Sequence, residues 1–210
     1  NDLAGQARTN SVFQTHQWMR SWLEAFGSAC EPLLVVVRDN ACVTGVAPMV
    51  AWTRAEGRVI SFLGDGRADY CDLLVPREDR GVQSAALHTL IAETRWDVIE
   101  LNGVPSHSGT IQDVVETSRG VGCRSIVERQ YLCPTLLIAG HEEDARRISN
   151  KPALRRTINR FKRDGCLTYR HLNTTAEIQS HLEDFFAQHV SRWAHANCRS
   201  LFLAESNRCF

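Results

Sequence analysis

The sequence predicts a mixed α/β protein, built on a mostly antiparallel sheet flanked by helices. Three observations predict it. Short runs rich in Val, Ile and Leu between residues 32 and 64 are separated by Asp-Asn and Glu-Gly breaks, as in a meander. Segments of strand length then alternate with segments of helical periodicity up to residue 138. With 43% hydrophobic residues in a chain of 210, there is enough apolar material for a substantial core.

The elements follow in order. THQWMRSWLEAFG (15–27) sets Trp18, Trp22 and Phe26 at i, i+4 and i+8, with Thr15 placed to cap the start and Gly27 to end it. PLLVVVRDN (32–40), ACVTGVAPMVAWT (41–53) and GRVISFLG (57–64) predict three antiparallel strands, and YCDLLVP (70–76) a fourth. EDRGVQSAALHTLIAETR (78–95) predicts a helix burying Ala86, Leu87, Leu90 and Ile91, and WDVIEL (96–101) a returning strand, which makes a βαβ step. IQDVVETSR (111–119) is a helix stopped by Gly120, and GCRSIVE (122–128) and YLCPTLLI (131–138) read as two further strands.

After Gly140 the pattern changes to HEEDARRIS, a basic segment, a strand at CLTYRHL (166–172) and a long helix opening with Thr174 and Glu177 in capping-box spacing. The expected division is therefore 1–140 and 141–210. The second part holds helices and one strand without a sheet to lie on. The chain opens on Asn1 rather than Met and closes just after the apolar run SLFLAE, so it is expected to be cut at both ends, with the second domain incomplete.

Lys plus Arg equal Asp plus Glu at 24 each, so any attraction to nucleic acid or an anionic surface must be local. The eight cysteines form no C-x-x-C pair and mostly sit in apolar segments, which predicts reduced, mostly buried thiols, no metal site and a cytoplasmic setting. No apolar run reaches the roughly 20 residues of a membrane span.

SVFQTHQWMRSW, VTGVAPMV, SFLGDGRADYCDLLV, WDVIELNGVP and SNKPALRRTINRFKRDGCLTYRHL, followed by a helix carrying HVSRW, together resemble the CelD-like, or BioF-like, branch of the GNAT acyltransferase superfamily. The resemblance spans essentially the whole chain and rests on many small matches rather than one motif. It implies two GNAT-type domains in tandem, as in Fem-type transferases, the second only begun here. It also implies acyl transfer from acetyl-CoA or another acyl-CoA to a small-molecule or cell-envelope amine, in a family associated with cellulose biosynthesis. Two alternatives stay open: a non-catalytic binding module derived from the fold, and aminoacyl-tRNA-dependent transfer of the Fem type.

In such a fold the donor pyrophosphate rests on backbone N–H groups in a glycine-rich turn from the fourth strand into a helix. The corresponding VPREDRGVQSAAL offers Arg77, Arg80 and Gly81, but Gln83 stands where a second glycine is wanted, and Glu78 and Asp79 oppose an anion. These residues fit an ordinary strand-to-helix turn better. Attack of an amine on a thioester needs a base and a donor for the leaving thiolate. If strands 70–76 and 96–101 are neighbours, Asp72 or Glu100 can serve as base and Tyr70 as acid, although carboxylates that simply end strand pairing are commoner.

SNKPALRRTINRFKRDG (149–165) repeats Leu154, Ile158 and Phe161 at i, i+4 and i+7, with Pro152 in the first turn and Gly165 as the stop. An amphipathic helix packed by that stripe is expected. Lys151, Arg155 and Arg156 come second as contacts to the donor or an anionic acceptor, and nucleic acid comes third, because the only aromatic belongs to the stripe. His189 reads as a core histidine, His195 and Cys198 are too few for a metal, and Trp18 and Trp22 read as core.

Overall fold

The computed structural model describes residues 2–77, 79–136, 138–165 and 168–210. It is a mixed α/β fold in two compact units, Asn1–Arg129 with Arg199–Phe210, and Gln130–Cys198. The break comes earlier than residue 140, and the closing residues belong with the first unit.

In the first unit α1 (Asp2–Gln6) and a 3-10 turn at Val12–Gln14 lead into α2 (His16–Phe26). The Thr15 hydroxyl accepts from the Trp18 N–H, as the sequence predicts. β1 (Glu31–Asp39), β2 (Cys42–Arg54) and β3 (Gly57–Phe62) form the antiparallel meander, with Val35 opposite Ala47 and Ala51 opposite Ile60. Asn40 takes the left-handed φ of 52° that the tight β1–β2 turn requires. α3 (Arg80–His88) runs into a π-helical turn, Thr89–Glu93, and carries the chain across to β4 (Val98–Glu100). β4 pairs in parallel with β3, Val59 opposite Val98, so the sheet order is β1-β2-β3-β4. α4 (Thr110–Gly120) then packs beside α3.

The core lies between the sheet and α3: Met49, Ile60, Phe62, Leu73, Leu87 and Leu90 are fully buried, each contributing about 1.5–3 kcal/mol. Gly45 on β2 permits the close approach of α3, since a Cβ there would sit 2.3 Å from Val82 Cγ1. α8 (Glu205–Cys209) closes the unit against α2, and Phe210 stacks edge-on to Trp18 and Phe26.

Four strand expectations give way: YCDLLVP, GCRSIVE, YLCPTLLI and CLTYRHL. YCDLLVP does not enter the ladder: it meets the sheet only where Leu74 bridges Val46, and Pro76 bridges Ala7 instead. The βαβ step therefore joins β3, not this segment, to β4. Residues 124–136 run without strand pairing and leave Ile126 and Tyr131 69% and 82% exposed. Apolar β-branched composition supports a strand only where a partner lies alongside, and none does among the described residues. At CLTYRHL, Cys166 and Leu167 lie outside the described residues, and 168–172 form no strand.

The second unit holds α5 (Glu142–Ser149), α6 (Pro152–Asp164) and α7 (Thr175–His195). α7 opens on the predicted capping box: Thr174 Oγ1 accepts from the Glu177 N–H, and the Glu177 carboxylate accepts from the Thr174 N–H and hydroxyl. That hydroxyl, followed by the backbone N–H groups of Asn173 and Thr174, holds the Glu177 carboxyl below the usual range. Pro152 and Gly165 bound α6 as expected, but the stripe does not pack: Leu154, Ile158 and Phe161 are 47%, 43% and 58% exposed. Amphipathic spacing specifies that a face is apolar, not what covers it.

Candidate functional site

Asp72 is the centre of a buried polar network in the first unit. Having left the ladder, its segment turns the carboxylate inward, where the residue is 3% exposed. Asp72 Oδ1 accepts from the Thr110 hydroxyl at 2.6 Å and from the Leu73 N–H at 2.9 Å, and Oδ2 accepts from the Thr9 hydroxyl at 2.5 Å. Charged acceptors make the stronger hydrogen bonds, which is what keeps a carboxylate tolerable away from water. Thr110 opens α4, so the carboxylate also lies at the positive end of that helix.

The network extends in two directions. Gln83, on α3, donates from Nε2 to Thr110 Oγ1 at 3.4 Å and to Asp113 Oδ2 at 2.8 Å, tying α3 to α4. On the other side the N-terminal strap is fastened across the segment. Gln14 Nε2 donates to the Asp72 carbonyl at 3.3 Å, Arg8 Nη2 to the Arg77 carbonyl at 2.6 Å, and Arg8 Nη1 to the Ser108 carbonyl. Gly109 has a φ of 81°, and a Cβ there would meet Arg8 Nη1 at 2.6 Å, so glycine serves both the left-handed turn before α4 and the seat of the guanidinium.

Next to Asp72, burial pushes the Cys71 thiol up to about 12, with Asp65 and then Asp72 adding to the effect. This thiol stays protonated and is not a nucleophile at neutral pH.

The sequence-predicted residues are spread over several surroundings. Asp72 lies in the network, and Tyr70 is half-buried two residues before it. Glu100, on β4, is bound to Arg54 Nη1 at 2.9 Å. Strands 70–76 and 96–101 do not neighbour each other as ladder partners, since β4 pairs with β3, although the Cys71 N–H does donate to the Gly103 carbonyl. Arg77, Arg80 and Gly81 are exposed at the start of α3. The cap of that helix is Asp79, whose carboxylate accepts from the Val82 N–H at 3.0 Å, so a side-chain anion already serves the helix start that the resemblance would give to a pyrophosphate. Glu78 lies outside the described residues. Lys151, Arg155 and Arg156 are exposed on the second unit, Lys151 as the residue before α6.

Thr9, Gln83, Thr110 and Asp113 were not predicted. Gln83 carried a signal, a polar residue within the buried face of an amphipathic helix, where it reads as a missing glycine only against a phosphate loop. An open groove of about 480 Å³ lies elsewhere, between Leu33–Arg38 of the edge strand β1 and Ala85, Thr89 and Thr94, and none of the Asp72 network lines it. Among the described residues no cluster of His, Cys, Asp and Glu is placed to hold a metal ion, and no helix is long and apolar enough to cross a membrane. Compared with protein-family models, curated proteins and solved structures, the chain shows no significant match to any.

Proposed function

We propose that this chain is an acyl-CoA-dependent N-acyltransferase of the GNAT type, acting on an amine acceptor of polysaccharide or cell-envelope biosynthesis. The observation that supports this reading is the path of the first unit: an antiparallel meander, then a helical crossover into a strand parallel to the third. The meander, crossover and parallel strand are the part of the implied domain that is present; its fourth strand at 70–76 and its two closing strands are not formed among the described residues. In the reaction an amine attacks the thioester carbonyl, the C–S bond breaks, and the ammonium proton passes to a base while the thiolate is protonated. On this chain Tyr70 and Glu100 are the candidate acid and base with solvent access, Glu100 being held by Arg54. Arg77 and Arg80 are the cations offered to the donor.

A second reading, a non-catalytic binding module, draws support from Asp79, which caps α3 in place of a phosphate. Calorimetric and thermal-shift titration of the 210-residue chain with acetyl-CoA separates the two. Donor at 100 times its dissociation constant adds about 2.7 kcal/mol of stability. The enzyme reading expects that gain, and expects Arg77→Ala with Arg80→Ala to weaken it. No heat and no thermal shift at millimolar acetyl-CoA would remove donor binding from this chain.

A further inference from the structure

We infer that α6 is a docking surface for anionic lipid, lying in the interface of a membrane rather than spanning it. Leu154, Ile158 and Phe161 form one stripe along the helix, and each is exposed to solvent. α6 makes no extensive contact with another element among the described residues. Around the stripe stand Lys151, Arg155, Arg156, Arg160, Lys162 and Arg163, against a single acidic residue, Asp164, which pairs with Arg160 and Arg163. Among the described residues, Lys151, Arg155, Arg156 and Lys162 have no acidic side chain within 4 Å. In a chain of zero net charge this is a local excess of positive charge joined to an apolar face.

Charge complementarity therefore asks for a partner that is negative over an extended area, and the stripe asks that the same partner offer an apolar interior. An anionic bilayer supplies both: the apolar face enters the acyl boundary while long basic side chains reach back to the phosphates. Nucleic acid supplies only the charge, and α6 has no aromatic on its basic faces for base stacking. A second copy of α6 would bring like charge against like. The helix is short, so binding is reversible and salt-dependent.

The test is co-sedimentation of the full chain with phosphatidylcholine vesicles and with vesicles carrying 30% phosphatidylglycerol (a composition of about one anionic lipid in three). Binding is expected only to the anionic vesicles. Each basic residue near such a surface contributes about fivefold, so Lys162→Glu with Arg163→Glu should weaken partitioning at least ~25-fold. Ile158→Ser with Phe161→Ser should weaken it at least ~10-fold while keeping the charge. Hydrogen exchange on the unaltered chain gives an independent measure: amides of 152–164 should gain protection on anionic vesicles. Equal partitioning to both vesicle types, or protection elsewhere with none in α6, would overturn the proposal. So would unchanged binding of the Ile158/Phe161 variant, which would leave a purely electrostatic contact of the kind nucleic acid or an acidic protein also satisfies.

Discussion

Replacing Thr110 by Val measures how much the buried carboxylate contributes to the first unit. The two side chains have nearly the same shape and both are β-branched, so the start of α4 changes little and the lost group is the hydroxyl. That hydroxyl donates to Asp72 Oδ1 at 2.6 Å and accepts from Gln83 at 3.4 Å, with the residue 1% exposed. A hydrogen bond to a charged group contributes about 1.5–3 kcal/mol, and the long bond from Gln83 adds little because Gln83 keeps Asp113. With a methyl group then facing one carboxylate oxygen, a loss of about 2–3 kcal/mol is expected. At a urea m-value of about 2 kcal/mol/M this lowers the unfolding midpoint by about 1 M with m unchanged. Thr9→Val, on a half-buried residue, should cost less. A double-mutant cycle of Thr110→Val with Asp72→Asn should give a coupling above about 1 kcal/mol. A loss under about 0.5 kcal/mol for Thr110→Val would show that water or another donor replaces the hydroxyl, and the account of Asp72 as an anchored group would fail.

Two further outcomes follow from local geometry. Gly45→Ala places a Cβ 2.3 Å from Val82 Cγ1 and 3.2 Å from Val75 Cγ1, and should cost about 1–3 kcal/mol in urea unfolding as α3 is pushed off β2. Thr174→Ala should remove about 1 kcal/mol from α7, read as lost helical circular dichroism on heating. The same box predicts acid sensitivity: the Glu177 carboxyl is held low in the folded chain, so its contribution is present above the unfolded value and disappears as pH falls through the folded one. Loss of α7 helicity below about pH 4, absent in Glu177→Gln, would report it.

Local chemistry was the most legible part of the sequence. Thr15, Thr174 with Glu177, and the Pro152–Gly165 limits of α6 act through bonds between residues three or four apart, which spacing alone displays. The meander was legible for the same reason, its strands being joined by turns of two residues. Asp72 was not. Its hydroxyl donors lie 38 and 63 residues away in sequence, and the period-two reading of YCDLLVP assumed a ladder partner that only Leu74 and Pro76 obtain, each through a single bridge. The exposed stripe of α6 failed differently: its periodicity was read correctly, and burial was inferred from it without a partner in view.

The geometry of the two aspartates bears on where chemistry can take place. A general base needs a lone pair open to the proton it takes and a site within reach of substrate. Asp72 has three donors on its two oxygens and is closed beneath a strap held by Arg8, Thr9 and Gln14, so neither oxygen lies open to a substrate. Asp79 spends its carboxylate on the Val82 N–H, and an incoming phosphate would have to displace it and then accept a neighbouring negative charge. Both carboxylates therefore act on the fold, the first by fixing the approach to α4 and the second by starting α3. Of the residues the sequence singled out on the first unit, Tyr70, Glu100, Arg77 and Arg80 are the ones that solvent reaches. Glu100 is reached by solvent with Arg54 beside it, the guanidinium Nη1 lying 2.9 Å from its carboxylate, so a group that approaches Glu100 also meets that cation.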